Sequence, residues 1–277
     1  MARRAQVRAI HDETTQAGEP AGEESGSGVK SARRAVELLE MVAENHAWIS
    51  LAELHTRTGF PRSSLHGLLR TLRDVGWIEA DDAGTKFRLG VRALICGTAY
   101  LDRDPAIPYA AEALERVREQ TGFTAHYARL NGSEVVYLET RESRHSVHLV
   151  SRVGRTLPAH ATALGKALLA ELADDELTEL LPAAMPALTP NTVADREKLR
   201  AELAVVRERG YATEREEGTT GVTCAAAVVP YRIPATDAMS CSMPAERVTE
   251  AEARRVAELL AEVTAELSQR LRRAGIR

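Results

Sequence analysis

Between positions 31 and 90 the apolar residues recur at helical spacing in three short stretches and then switch to alternation. In SARRAVELLEMVAEN, Ala35, Leu38, Leu39 and Val42 form one stripe, and Ser31 is placed to cap its start. In ISLAELHTRTGF, Ser50 can cap a helix carrying Leu51 and Leu54, and Gly59 ends it in a tight turn. Pro61 then falls at the first position of the next helix, where its missing N–H costs nothing. That helix carries Leu65, Leu68, Leu69, Leu72 and Val75 on its buried side, and Gly76 stops it. Residues 77–80 and 86–89 alternate apolar and polar positions around Asp81-Asp82-Ala83-Gly84, which predicts a strand, a glycine-bearing turn and a second strand.

Three helices followed by a hairpin are the layout of a winged helix-turn-helix DNA reader. The third helix presents Arg62, Ser63, Ser64, His66, Gly67 and Arg70 opposite its leucines. These are cations and short hydrogen-bonding groups, with nothing bulky and apolar to block approach to a phosphate or a base edge. A generic three-helix module for protein contacts is the alternative.

After the hairpin, VRALICGTAYLDRD carries Val91, Leu94, Ile95, Thr98 and Leu101 on one stripe, and Pro105 ends it. A connecting helix with so broad an apolar face needs a partner, either the same helix of a second chain or its own C-terminal domain. Beyond it the pattern becomes mixed. Residues 106–120 read as helix, and 124–129 and 134–140 as strands around Asn131-Gly132, a strong hairpin signal. A third strand is expected over 145–152, helices over 162–172, 174–181 and 194–209, strands over 222–230 and 237–243, and a closing helix over 249–272. The class is α+β: a disordered polar arm over 1–28, a winged helix-turn-helix over 29–90, a linker and dimerisation helix over 91–104, and a sensor-type domain over 105–277.

Three segments of the last domain converge on a candidate ligand pocket. In LPAHATALGKALLAEL, small residues around Ala163 lead into a helix whose first N–H groups are unpaired and can receive an anion. In GVTCAAAVV, Val222, Cys224 and Ala226 share a strand face, and in AMSCSM the hydroxyls of Ser240 and Ser242 point one way while Cys241 points the other. Two serines on an apolar face suit a small polar ligand; a satisfied polar core is the alternative.

Composition narrows the partners. A chain of 277 residues suits two domains, and 4% aromatic content counts against base stacking as the main binding mode. The net charge is −4, yet residues 30–100 hold ten Lys and Arg against eight Asp and Glu. So weak an excess of cations favours oligomerisation as the means to useful DNA affinity. Cys96, Cys224 and Cys241 form neither a disulfide framework nor a zinc knuckle, and no apolar run or leader-like segment points to a membrane or to export. A cytoplasmic protein without cofactor or metal is expected.

Enzyme motifs fare poorly. ATALGKA matches a phosphate-binding loop only at Gly-Lys, with His160 where the first glycine is required and Ala167 in place of Ser or Thr. There is no G-x-S-x-G and no H-E-x-x-H, and His145 and His148 would lie on opposite faces of a strand. The remaining enzyme reading makes Cys224 a nucleophile with His160 as its base.

The blocks SARRAVELLEMVAEN, SLAELHTRTGFPRSSLHGLLRTLRDVGWIE, LPAHATALGKALLAEL, RERGYATEREEGTTGVTCAAAVV and AMSCSMPAERV, in this order, resemble the IclR family of bacterial transcriptional regulators. The resemblance implies a GAF-like effector domain after the winged helix-turn-helix. It also implies dimers that pair into tetramers on a palindromic double-stranded operator, and repression or activation of catabolic genes. In family members that bind oxoacids such as glyoxylate or pyruvate, it places ligand contacts at Ala163, Leu164, Cys224, Ser240 and Ser242. Leu149, Glu214 and Val222 would line the same pocket. The retained cysteine and serines favour a small carboxylate, as in regulators of glyoxylate or allantoin utilisation, with an aromatic or other acid and an activating role as the alternative. Leu164 is bulkier, and Glu214 longer, than the family pattern implies.

Overall fold

The computed structural model describes residues 28–45, 47–143 and 153–277. Nearly all of the expected arm, and the expected strand with His145, His148 and Leu149, lie outside these residues. The chain divides into two compact units, Met1–Ala93 and Leu94–Arg277.

In the first unit, α1 (Lys30–Glu44), α2 (Leu51–Thr58) and α3 (Arg62–Asp74) enclose a core of Leu38, Leu54, Leu65 and Leu69, closed by Ile78 and Phe87 from the wing. The wing is a sheet in the order β1-β3-β2, built from β1 (Ile49–Ser50), β2 (Ile78–Ala80) and β3 (Lys86–Leu89). The start of α2 is fixed by a reciprocal cap, in which Ser50 Oγ accepts from Glu53 N–H at 3.2 Å and Ser50 N–H donates to Glu53 Oε2 at 2.8 Å. Asp81 organises the wing turn, its Oδ1 accepting from the N–H groups of Thr85 at 2.7 Å and Lys86 at 3.0 Å.

Three sequence expectations are corrected in this unit. Ser31 lies inside α1, whose cap is Val29 with no side-chain bond. Pro61 occupies the cap position of α3 rather than its first turn. Val75 is 46% exposed, because α3 ends at Asp74 before the stripe can turn it inward. Strand β1 was not expected, since two residues are too few to show alternation.

Helix α4 (Val91–Arg103) follows the predicted stripe but buries none of its residues. Val91, Leu94 and Ile95 are 65%, 65% and 61% exposed, whereas Leu101 packs on the core of the second unit.

The second unit is built on an antiparallel six-stranded sheet, in the order β6-β5-β4-β9-β8-β7. Its strands are β4 (Thr124–Asn131), β5 (Glu134–Arg141), β6 (Thr156–Pro158), β7 (Ala212–Arg215), β8 (Val222–Val228) and β9 (Asp237–Pro244). The helices α5 (Ile107–Thr121) and α9 (Glu250–Arg273) cover one face, where Leu114, Leu260 and Leu267 meet Tyr127, Ala225 and Cys241. The helices α6 (Ala163–Leu169), α7 (Asp174–Leu180) and α8 (Arg196–Arg209) cover the other, where Leu168, Leu199 and Leu203 meet Ala128, Ala226 and Ala238. The two edge strands, β6 and β7, had no recognisable alternation in the sequence.

Helix α6 is shorter than the helix expected over 162–172. A 3-10 turn, Ala159–Ala161, precedes it, and Thr162 Oγ1 caps it by accepting from Gly165 N–H at 2.9 Å. Gly165 permits this packing, since a Cβ there would stand 2.1 Å from Ala159 O.

Two buried ions, Lys166 and Asp237, are each matched by several partners. Lys166, 1% exposed, donates to Glu217 at 2.6 Å and to Glu202 at 2.5 Å. That ion pair, rather than any phosphate, accounts for the Gly-Lys pair in the sequence. Asp237, fully buried at the start of β9, accepts from Arg129 Nε at 2.6 Å, Arg129 Nη2 at 2.8 Å and the hydroxyls of Tyr127 and Tyr231. Arg129 Nη1 also reaches Tyr100 at 2.9 Å and Asp104 at 2.7 Å.

Burial alone would raise the Asp237 carboxyl, but Arg129 and the two phenols outweigh it and hold the group below its ordinary 3.8. A depressed carboxyl contributes stability that is complete above 3.8 and is lost as pH falls through the lower, folded value. Asp237→Asn should therefore cost about 3 kcal/mol near neutrality. In urea unfolding, the gap between wild type and variant should close progressively in acid; a gap independent of pH would contradict the ion pair.

Candidate functional site

The alternation of β8 and β9 sends Cys224, Ser240 and Ser242 to the α6 side of the sheet, with Cys224 opposite Ser242 in the ladder. Cys241 points to the other face, 3.9 Å from Thr121 Oγ1. Between the strands and α6 lies a cavity of about 280 Å³. Its walls include Ala163, Leu164, Glu214, Val222, Cys224, Ser240 and Ser242, seven of the eight effector positions expected from the sequence. The eighth, Leu149, lies outside the described residues. Glu214 reaches the cavity from β7, paired opposite Cys224.

Sequence reasoning missed several residues at this site. Tyr137, Arg155, Gly218 and Thr219 also line the cavity, as do Leu157 and Thr162 from the segment the sequence had already marked. Arg155 and Leu157 arrive with the unpredicted β6 region, and no local pattern marked Arg155. His126, on β4, stands behind the wall: its Nε2 lies 3.1 Å from Ser242 Oγ and its Nδ1 3.1 Å from Thr140 Oγ1. Its place on the pocket face was readable from alternation within 124–129, but only once β4 is known to pair with β9.

The electrostatics separate the groups. Burial, with Arg155 adding to it, pushes the His126 imidazole down to about 4, so the ring is neutral. Burial raises the Glu214 carboxyl, although Glu217 N–H donates to it at 2.8 Å. Burial likewise raises the Cys224 thiol well above its ordinary value, and the Cys224 Sγ to Ser242 Oγ distance is 3.4 Å. The Ser240 hydroxyl, in a residue 2% exposed, has no hydrogen-bond partner among the described residues. His160 does not join Cys224: its Nε2 is bonded to the Pro186 carbonyl at 2.9 Å. The nucleophile–base pair of the alternative enzyme reading is not assembled.

The second candidate surface is the outer side of α3. Arg62, Ser63, His66 and Arg70 are exposed there. Ser64 and Gly67 are half-buried, and Ser64 Oγ accepts from Arg34 at 3.3 Å, so Ser64 turns toward α1 rather than outward. Arg62 and His66 share a groove of about 360 Å³ with His55, Thr85 and Lys86, which the sequence reading had not singled out. Among the described residues no group of side chains could hold a metal ion, and no helix is long and apolar enough to cross a membrane.

Comparison with known proteins agrees with this division. The family model for the bacterial transcriptional regulator IclR C-terminal region matches residues 98–269, and that for the IclR helix-turn-helix domain matches residues 31–82. The chain is 35% identical over 245 residues to the HTH-type transcriptional regulator XynR of Escherichia coli (strain K12), covering 88% of this chain and 97% of that protein. It is 31% identical to the transcriptional repressor IclR of the same organism, covering 80% and 82%. A solved IclR homolog from Microbacterium hydrocarbonoxydans, complexed with 4-hydroxybenzoate, superposes with a TM-score of 0.72 at 26% identity, covering 88% of this chain and 99% of that one.

The thiols should differ sharply in reactivity. Cys96 is exposed, Cys224 is raised by burial, and burial pushes Cys241 up to about 12. Iodoacetamide at neutral pH should rapidly alkylate Cys96 alone in the native protein, with the other two labelled only on unfolding. Rapid stoichiometric labelling of Cys224 would reinstate a nucleophile.

Proposed function

The chain belongs to the IclR family of bacterial transcriptional regulators, and we propose that within it this protein represses a catabolic operon until a small carboxylate binds. It is a DNA-binding regulator and not an enzyme. Repression is supported by relatives that carry that name, and a cytoplasmic site of action follows from an operator on the chromosome.

The observation that carries the effector reading is the cavity of about 280 Å³ with its hydroxyls and its guanidinium. Ser240, Ser242 and Thr162 offer hydrogen bonds, and Arg155 brings positive charge to the same walls. The N–H groups of Ala163 and Leu164 open the first turn of α6, where no carbonyl of the helix is available to them. A cavity of this volume, narrowed by the Leu164 side chain, suits an acid of a few heavy atoms such as glyoxylate or pyruvate. The solved relative holding 4-hydroxybenzoate favours an aromatic acid as the second reading, and a cavity of about 280 Å³ admits one as well.

The exposed stripe of α4 supports a homodimer, with pairing of dimers into a tetramer, on a palindromic double-stranded operator. Arg62, Ser63, His66 and Arg70 would face the groove, with Ser64 and Gly67 behind them and Lys86 from the wing beside them.

A thermal-shift screen with glyoxylate, pyruvate and 4-hydroxybenzoate tests the effector class. A true ligand at about 100 times its Kd stabilises the fold by ~2.7 kcal/mol. The double variant Ser240→Ala/Ser242→Ala should keep operator affinity yet lose the response to that acid; unchanged affinity for the acid by calorimetry would remove both serines from the site. For DNA, Arg62→Ala or Ser63→Ala should cost about 1–3 kcal/mol and change site preference if the contact is to a base. Equal losses on operator and random DNA would mark phosphate contacts, and unchanged binding would take α3 out of the interface.

A further inference from the structure

His126 does not line the cavity, yet three features of the sheet are arranged around its ring. The ladder between β4 and β5 carries a bulge: Tyr127 faces Glu139, Ala128 faces Tyr137, and Leu138 is left over. Strict alternation would put Tyr137 and Thr140 on opposite faces of β5. The extra residue brings both to the pocket side, where Tyr137 meets the imidazole edge to face, with centroids 5.2 Å apart, and Thr140 Oγ1 lies 3.1 Å from Nδ1. On the other side of the ring, Nε2 lies 3.1 Å from Ser242 Oγ.

A neutral imidazole has one N–H and one lone pair, so the tautomer decides what Ser242 can do. With the proton on Nδ1, the ring donates to Thr140 and the Ser242 hydroxyl must donate to Nε2. Ser242 then shows the cavity only lone pairs, and the Thr140 hydroxyl proton has no other acceptor among the described residues. With the proton on Nε2, Thr140 donates to Nδ1 and the ring donates to Ser242 Oγ. The Ser242 proton is then free for the cavity, or for Cys224 Sγ at 3.4 Å when the cavity holds no acid. No donor is idle in this second arrangement.

We infer that His126 is a positioning residue, held by Thr140 as the Nε2–H tautomer, and that it turns Ser242 into a hydrogen-bond donor selecting an anionic ligand over a cationic or donor-only ligand of the same shape. The inference rests on the reading of this cavity as the effector pocket. Anion selectivity here does not come from charge on the ring, which burial and Arg155 keep neutral. It comes from the direction in which one proton chain runs, from Thr140 through the imidazole to Ser242.

Two measurements on the full chain test it separately from the pocket reading. Long-range nitrogen–proton spectra of histidine-labelled protein without added acid, with the His126 signal identified by its loss in His126→Gln, report the tautomer directly. A protonated Nε2 near neutral pH is expected; a protonated Nδ1 overturns the inference whatever the ligand proves to be. Calorimetry with the acids of the screen supplies the second readout. His126→Leu should weaken the bound acid by about tenfold or more, while His126→Gln, whose amide can both accept from Thr140 and donate to Ser242, should restore part of that loss. Equal affinity in His126→Leu and wild type overturns the inference. Failure of every acid to bind wild type instead overturns the pocket reading, and the tautomer is still decided by the spectra.

Discussion

Strand β9 is hydrogen-bonded along both edges, to β4 on one side and β8 on the other, and the side-chain alternation of all three strands is locked by that pairing. A slip of one residue in β9 would carry Ser240 and Ser242 beneath α5 and α9, and would turn Cys241 into the cavity. The register is enforced by what each face buries. Tyr127, Met239 and Cys241 pack under one helix layer, and Ala128, Ala226 and Ala238 under the other. The hydroxyls that line the cavity are therefore held in place by the apolar partition that folds the unit.

Buried charge reinforces the partition at two points, and in both the ions tie separate elements together. Lys166 joins α6 to α8 and to Glu217 beyond β7. Arg129 joins Asp237, on the strand that bears the two serines, to Tyr100 and Asp104 at the far end of α4. Breaking either cluster strands an ion in a low-dielectric site, which is why both are matched so completely. By contrast, the apolar stripe of α4 is left exposed by the described residues at Val91, Leu94 and Ile95. It is on this exposed stripe that the proposed pairing of two chains rests.

The two units were unequally legible. In the first, each element is short, local and punctuated by Ser50, Gly59 and Gly76, so the order of helices and hairpin could be read directly. Apart from the two-residue β1, its errors are of one or two residues at helix ends, at Ser31, Pro61 and Val75, where caps and packing compete on nearly equal terms. In the second unit, β6 and β7 escaped because edge strands this short show no period, and their pairing is set by neighbours far away in sequence. The length of α6 was overestimated mainly at its C-terminal end, where the helix stops at Leu169 and Glu171 and Leu172 continue it only as tight turns bonded to the Leu168 and Leu169 carbonyls.

The sequence by itself determined the two-unit organisation, the α3 face, the apolar stripe of α4 and the opposed directions of Ser240, Cys241 and Ser242, because helical and strand periods are local properties of the backbone. Only the tertiary structure decided that His126 stands behind Ser242, that Tyr137 and Thr140 share its ring, that Arg155 enters the cavity, and that Ser64 turns inward. Each of these depends on strand order, a bulge or a helix contact, and such long-range pairings leave no periodic trace in the chain.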